Sequence, residues 1–152
     1  PQSFLDPGSL LSHRKVGLLS SVEYKHVVME HLKRRGFEFG KQRKDEYVNQ
    51  LLVFQHKGGH IEDRLLDQLL TMALIEARSC ERFKRLSEGL SDDYLKKFYR
   101  RFMESEAGHY TLFIDLATLY FGKEKTLGRW SEWLAYEKEV MESMEIRGDR
   151  IH

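Results

Sequence analysis

Two of the seven histidines follow a glutamate by three residues: Glu23-Tyr-Lys-His26 and Glu106-Ala-Gly-His109. A helix puts residues three apart on one face, so each pair can present a carboxylate and an imidazole to a single point. A third glutamate, Glu76, stands alone in the middle of a long apolar stripe. Glu-x-x-His on two helices, with lone glutamates on the others, is how a helical bundle holds a pair of iron ions. Carboxylate and imidazole donors with open positions suit iron or manganese, whereas structural zinc sites favour thiolates. The chemistry to test is therefore that of a di-iron carboxylate centre.

The surroundings of each carboxylate sharpen the reading. At helical spacing, Glu76 has Leu69, Met72, Ala73, Cys80 and Phe83 as neighbours, and Glu106 has Tyr99, Phe102, Met103, Tyr110 and Phe113. Both glutamates point toward a core. A buried, unpaired carboxylate is costly and persists when it is protonated, paired or bound to a metal. Glu81, among Arg78, Lys84 and Arg85, reads as a solvated surface charge. The stripe around Glu23 is only half apolar. Glu-x-x-His spacing alone recurs by chance in a glutamate-rich chain, so the apolar settings of Glu76 and Glu106 carry the argument. His13, His31, His56 and His60 lie near helix ends or among charges and read as surface residues. Cys80, one turn beyond Glu76, reads as core filler or as a neighbour of the ligands rather than a ligand.

These residues need helices to position them. Apolar periodicity predicts helices over about Lys15–Arg35, Arg43–Lys57, Ile61–Glu88, Asp92–Phe121 and Leu127–Ile146, after an irregular lead-in over residues 1–14. Gly36, the Gly58-Gly59 pair, Gly89 and Gly122 are the expected stops, and Ser91 the expected N-cap of the fourth helix. No stretch has the period-2 alternation of a strand. The expected fold is all-α, a single helical bundle domain spanning residues 1–152.

The bulk composition excludes several classes. Hydrophobic content of 41% supports a sizeable core, and 32% charged residues balanced to a net +1 argue against disorder. No apolar run approaches the roughly 18 residues of a bilayer span, so no membrane partner is expected. No signal peptide is visible, and the single cysteine fits a reducing compartment, so the expected location is cytoplasmic. The basic clusters Lys33-Arg34-Arg35, Lys41–Lys44 and Lys96-Lys97 with Arg100-Arg101, interleaved with Phe37, Phe39 and Tyr99, could dock a nucleic acid. With so small a net charge, a solvated rim is the simpler reading.

Specific strings add a resemblance. The stretch Ile75-Glu-Ala-Arg-Ser-Cys-Glu-Arg-Phe83, followed by Ser105-Glu-Ala-Gly-His-Tyr110, resembles the tRNA 2-methylthio-isopentenyl-adenosine hydroxylases (MiaE). Glu23-x-x-His26 followed by His31-Leu-Lys-Arg-Arg-Gly36 is similar to that family's second bundle helix, and Gly148-Asp-Arg-Ile-His152 to its closing segment. The resemblance covers roughly residues 20–152. It implies a ferritin-like bundle with two Fe ions, and dioxygen-dependent hydroxylation of an isopentenyl group on a modified adenosine beside the tRNA anticodon. Carried over position by position, it makes Glu23, His26, Glu76, Glu106 and His109 metal ligands. It implies the tRNA anticodon stem-loop, dioxygen and an electron donor of unidentified kind as partners.

The family has an earlier helix that supplies a further glutamate, and nothing in residues 1–21 matches it; the family also commonly has a larger residue at the position of Gly108. The expectation is a chain whose first ligand helix is missing or replaced. Its bundle would have an open flank exposing Val27, Met72 and Phe113, unless the fifth helix fills the gap and supplies Glu137 or Glu142. The alternative is a non-catalytic helical iron-binding or interaction protein with an incomplete di-metal site.

Overall fold

A computed structural model describes residues 21–38 and 45–144, with side chains from His26 onward. Among these residues are five helices and no strand: α1 (Ser21–Arg34), α2 (Glu46–Phe54), α3 (Ile61–Gly89), α4 (Asp93–Phe121) and α5 (Lys123–Ser143). The lead-in, the expected first turns of α1, Lys41–Lys44 and the Gly148–His152 segment lie outside the described residues.

The two 29-residue helices α3 and α4 form the long axis, each about 43 Å at helical rise. They pack antiparallel along most of their length. Ala73 and Ala77 on α3 and Ala107 and Ala117 on α4 are all buried, and their small side chains let the two backbones approach closely. Asp92, not Ser91, caps α4, accepting from the Tyr94 and Leu95 amides at 2.9 and 3.0 Å. Asp wins because its carboxylate also meets the positive end of the helix dipole. α5 starts earlier than periodicity suggests: Gly122 alone separates it from α4, at φ +82°, a left-handed conformation that glycine adopts without strain.

α5 folds back on the α3–α4 pair with Trp130, Trp133 and Val140 inward, and α2 adds Tyr47 and Leu51. Two buried carboxylates tie these helices together. Asp67 of α3, fully buried, accepts from Arg129 Nε (2.7 Å) and Nη2 (2.9 Å), from Trp133 Nε1 (3.1 Å) and from the His56 amide (2.8 Å). Glu137 of α5 accepts from Tyr47 Oη (2.6 Å) and from both Arg78 Nε and Nη2 (2.5 Å each). Glu137 is therefore an inter-helix anchor and not a sixth ligand. Glu142 is exposed, facing Lys138 at 3.8 Å. Glu81 is half-buried against Arg78 (2.6 Å) rather than freely solvated.

Among the described side chains, those of the C-terminal half of α1 meet the bundle, at the end where α3 stops and α4 begins. His31 lies against Tyr94 and Phe98, with Tyr94 Oη 2.5 Å from its Nε2. Among the described residues, Met72 is exposed as expected of an open flank, as are Ile61 and Leu65 on α3 and Leu119 and Tyr120 on α4. Val27 and Phe113 are half-buried instead, Phe113 because it also packs on the core.

Candidate metal centre

α3 and α4 run antiparallel, so the middle of one faces the middle of the other. That register brings Glu76 opposite Glu106, and the helical repeat puts His109 one turn beyond Glu106 on the same face. His109 Nδ1 lies 3.4 Å from Glu106 Oε2 and 3.8 Å from Glu76 Oε2. One ligand atom from each of the three residues falls within 4.8 Å of the others. All three side chains are half-buried, with 12% of Glu106 and 27% of His109 accessible. A cation reaching this point would touch three donors without displacing the core.

The electrostatics agree. Burial, then the hydrogen bond and the charge of Glu106 beside it, push the Glu76 carboxyl up to about 9. Two carboxylates in contact in a poorly solvated place cannot both ionise unless a cation compensates them. Without one, Glu76 keeps a proton at neutral pH. The donor set is two hard oxygens and one imidazole nitrogen, fitting iron or manganese. Cys80 is turned away: its Sγ faces the Met103 carbonyl at 3.4 Å, and burial pushes the thiol up to about 12. Cys80 is not among the three residues whose ligand atoms converge.

Of the five residues expected to bind metal, the structure brings together Glu76, Glu106 and His109. His26 is 75% exposed and faces Glu30 at 3.5 Å. Val28, His31, Leu32 and Arg35 form the side of α1 that meets the bundle. Two residues along a helix is a rotation of about 200°, which puts His26 on the opposite side of α1 from Val28. The Glu23 side chain lies outside the described residues.

The sequence reading missed Asp67 and Glu137 as inter-helix anchors. Asp67 shares a stripe with Leu70, Leu74 and Ala77 at the same helical spacing that exposed Glu76, so the signal was there. It also missed that residues 31–35 and 94–101, some sixty positions apart, meet at one end of the bundle.

The fold and this cluster define a ferritin-like helical bundle with a carboxylate–histidine group on its long helix pair. The family model described as tRNA-(MS[2]IO[6]A)-hydroxylase (MiaE) matches residues 13–152, and the chain belongs to that family. The chain is 38% identical over 119 residues to a tRNA 2-(methylsulfanyl)-N(6)-isopentenyladenosine(37) hydroxylase of Pseudomonas putida, covering 76% of this chain and 55% of that protein. It is 37% identical over 115 residues to the Salmonella typhimurium protein of the same description, covering 74% and 41%. The chain thus spans about half the length of the curated relatives it matches. Among solved structures, a Synechococcus protein with aldehyde deformylating oxygenase activity superposes with a TM-score of 0.75 at 29% identity, over 83% of this chain and 62% of that one. Among the described residues, no helix is long and apolar enough to cross a membrane.

Proposed function

We propose that this chain is part of a di-iron monooxygenase that hydroxylates the isopentenyl group of 2-methylthio-isopentenyl-adenosine in tRNA. The observation that carries the reading is the convergence of Glu76, Glu106 and His109 in a chain of the MiaE family. Two iron ions, when bound, supply the activation of dioxygen with electrons from an external donor. The chain's own residues hold the metal and shape the place where a C–H bond must sit. Glu76 and Glu106 provide negative charge for the metals, and His109 caps the same point from one turn away. Glu23 and His26 are the remaining ligands in this reading. The half-buried flank limits water around the reacting group. The substrate is the anticodon stem-loop of a tRNA, and the setting is the cytoplasm.

The test is mass analysis of tRNA nucleosides from a deletion strain, with and without this gene. Restored hydroxylated nucleoside supports the reading. Unaltered nucleosides in both strains refute it.

A further inference from the structure

One groove at the α1 end of the bundle has a role that the metal cluster leaves unexplained. It lies between α1 and the α3–α4 pair and has a cavity of about 310 Å³. Its walls are rings: Phe83 from α3, and Phe98, Tyr99 and Phe102 from α4. Phe98 stands edge-on to Phe102 (centroids 4.6 Å) and to Tyr99 (5.2 Å), while Phe83 lies stacked on Tyr99 (5.8 Å). Two polar groups stand at the α1 edge, His31 and Arg35. Pockets of this size with a few convergent polar groups take one small planar group rather than a strand of polymer.

Three further observations say what that group is. The first is position. Phe102 precedes Glu106 by one turn and Phe83 follows Glu76 by two, so the groove begins about 6 Å along the helix axis from the carboxylates. The second is charge. Arg34 ends α1 and Arg35 follows it, and Lys84, Lys96, Lys97 and Arg100, with Glu88 as the one acidic residue, line a second groove of about 330 Å³ on the same helix pair. The third is chemistry: bases unstacked from an RNA loop are held by aromatic faces and Arg planes, while cations take the phosphates.

We propose that the groove seats a single unpaired purine of an RNA loop, its apolar N-substituent pointing along Phe102 toward Glu76 and Glu106. The inference rests on the hydroxylase reading and assigns it a substrate pocket. Phe98 supplies the stacking face, Tyr99, whose ring stands at 81° to it, meets the base edge-on, and Arg35 reaches the base or its phosphate. Lys96, Lys97 and Arg100 hold the backbone of the stem without regard to the base.

The probes are two fluorescein-labelled RNA stem-loops, identical except that one carries N6-isopentenyladenosine and the other adenosine at a single loop position. Fluorescence anisotropy with the full chain should show tighter binding of the prenylated hairpin, by about tenfold, the scale of burying about two of the substituent's carbon groups. Phe98→Ala should bring the two affinities together. Leu95→Trp, which fills the groove from a half-buried position, should do the same and decides the matter if Phe98→Ala loses helical circular dichroism. Lys96→Ala with Lys97→Ala should weaken both hairpins equally and flatten the salt dependence. If the native chain prefers the prenylated hairpin and both pocket variants keep that preference, the pocket assignment is wrong and the hydroxylase reading stands. If the native chain shows no preference, both are overturned.

Discussion

Replacing Asp67 by alanine removes the acceptor shared by α2, α3 and α5. Arg129 Nε and Nη2, Trp133 Nε1 and the His56 amide lose their acceptor, and the His56 ring loses its contact at Nδ1, 2.7 Å from Asp67 Oδ2. Removing one partner of a buried ion pair costs about 3–5 kcal/mol, and leaving the buried Trp133 N–H unpaired costs about 1–3 kcal/mol. The two do not add fully, because Arg129 retains Glu132 at 2.6 Å and the Phe54 carbonyl at 3.3 Å. The expected loss is therefore about 4 kcal/mol. For a domain of this size that lowers Tm by about 8–16 °C. Asp67→Asn, which keeps an acceptor oxygen, should lose roughly half as much. Burial raises the Asp67 carboxyl, but the hydrogen bonds from Arg129, the His56 amide and Trp133 outweigh it and hold it below the usual range. Its contribution is thus complete above the unfolded value near 4 and disappears as pH falls through the lower folded value. Thermal unfolding followed by circular dichroism at pH 7 and pH 3 measures both effects. An alanine variant melting within 3 °C of the native chain at pH 7 would refute the reasoning.

Arg78→Met should cost about 3 kcal/mol by leaving Glu137 buried without its cation, and urea unfolding should show it. Arg78→Met combined with Glu137→Leu should recover most of that loss, because an apolar pair replaces a desolvated one. Cys80 should react with iodoacetamide at neutral pH at least a hundredfold more slowly in the native chain than in urea, since its thiol is buried and pushed up to about 12. Equal rates would show that α3 and α4 separate readily at the metal cluster.

The helices and the core of the candidate centre were legible in the sequence because their signals are local. Glu76 and Glu106 betray themselves by apolar neighbours at helical spacing, and His109 by its place one turn on. The rest depends on how distant segments meet. The Glu-x-x-His spacing in α1 does not say which of its faces meets α4. The face it uses carries Val28, Leu32 and His31, more apolar than the stripe of His26 and Glu30, and packing follows the apolar face. Glu137 has Trp130, Trp133, Leu134, Val140 and Met144 at helical spacing, but its partners Arg78 and Tyr47 are fifty-nine and ninety residues away and meet it only when the helices pack. Asp92 displaced Ser91 as a cap through a one-residue shift that periodicity does not resolve. The aromatic groove is equally non-local, because its walls come from three helices.

The central claim is that Glu76, Glu106 and His109 hold metal. Anaerobic titration with ferrous iron, read as metal retained per chain after gel filtration, tests it most directly. The account predicts about two irons per native chain, the pair that bundle sites of this kind hold, and none in Glu76→Ala with helical circular dichroism unchanged. Equal iron retention by the native chain and by Glu76→Ala, or no retention by either, would contradict it.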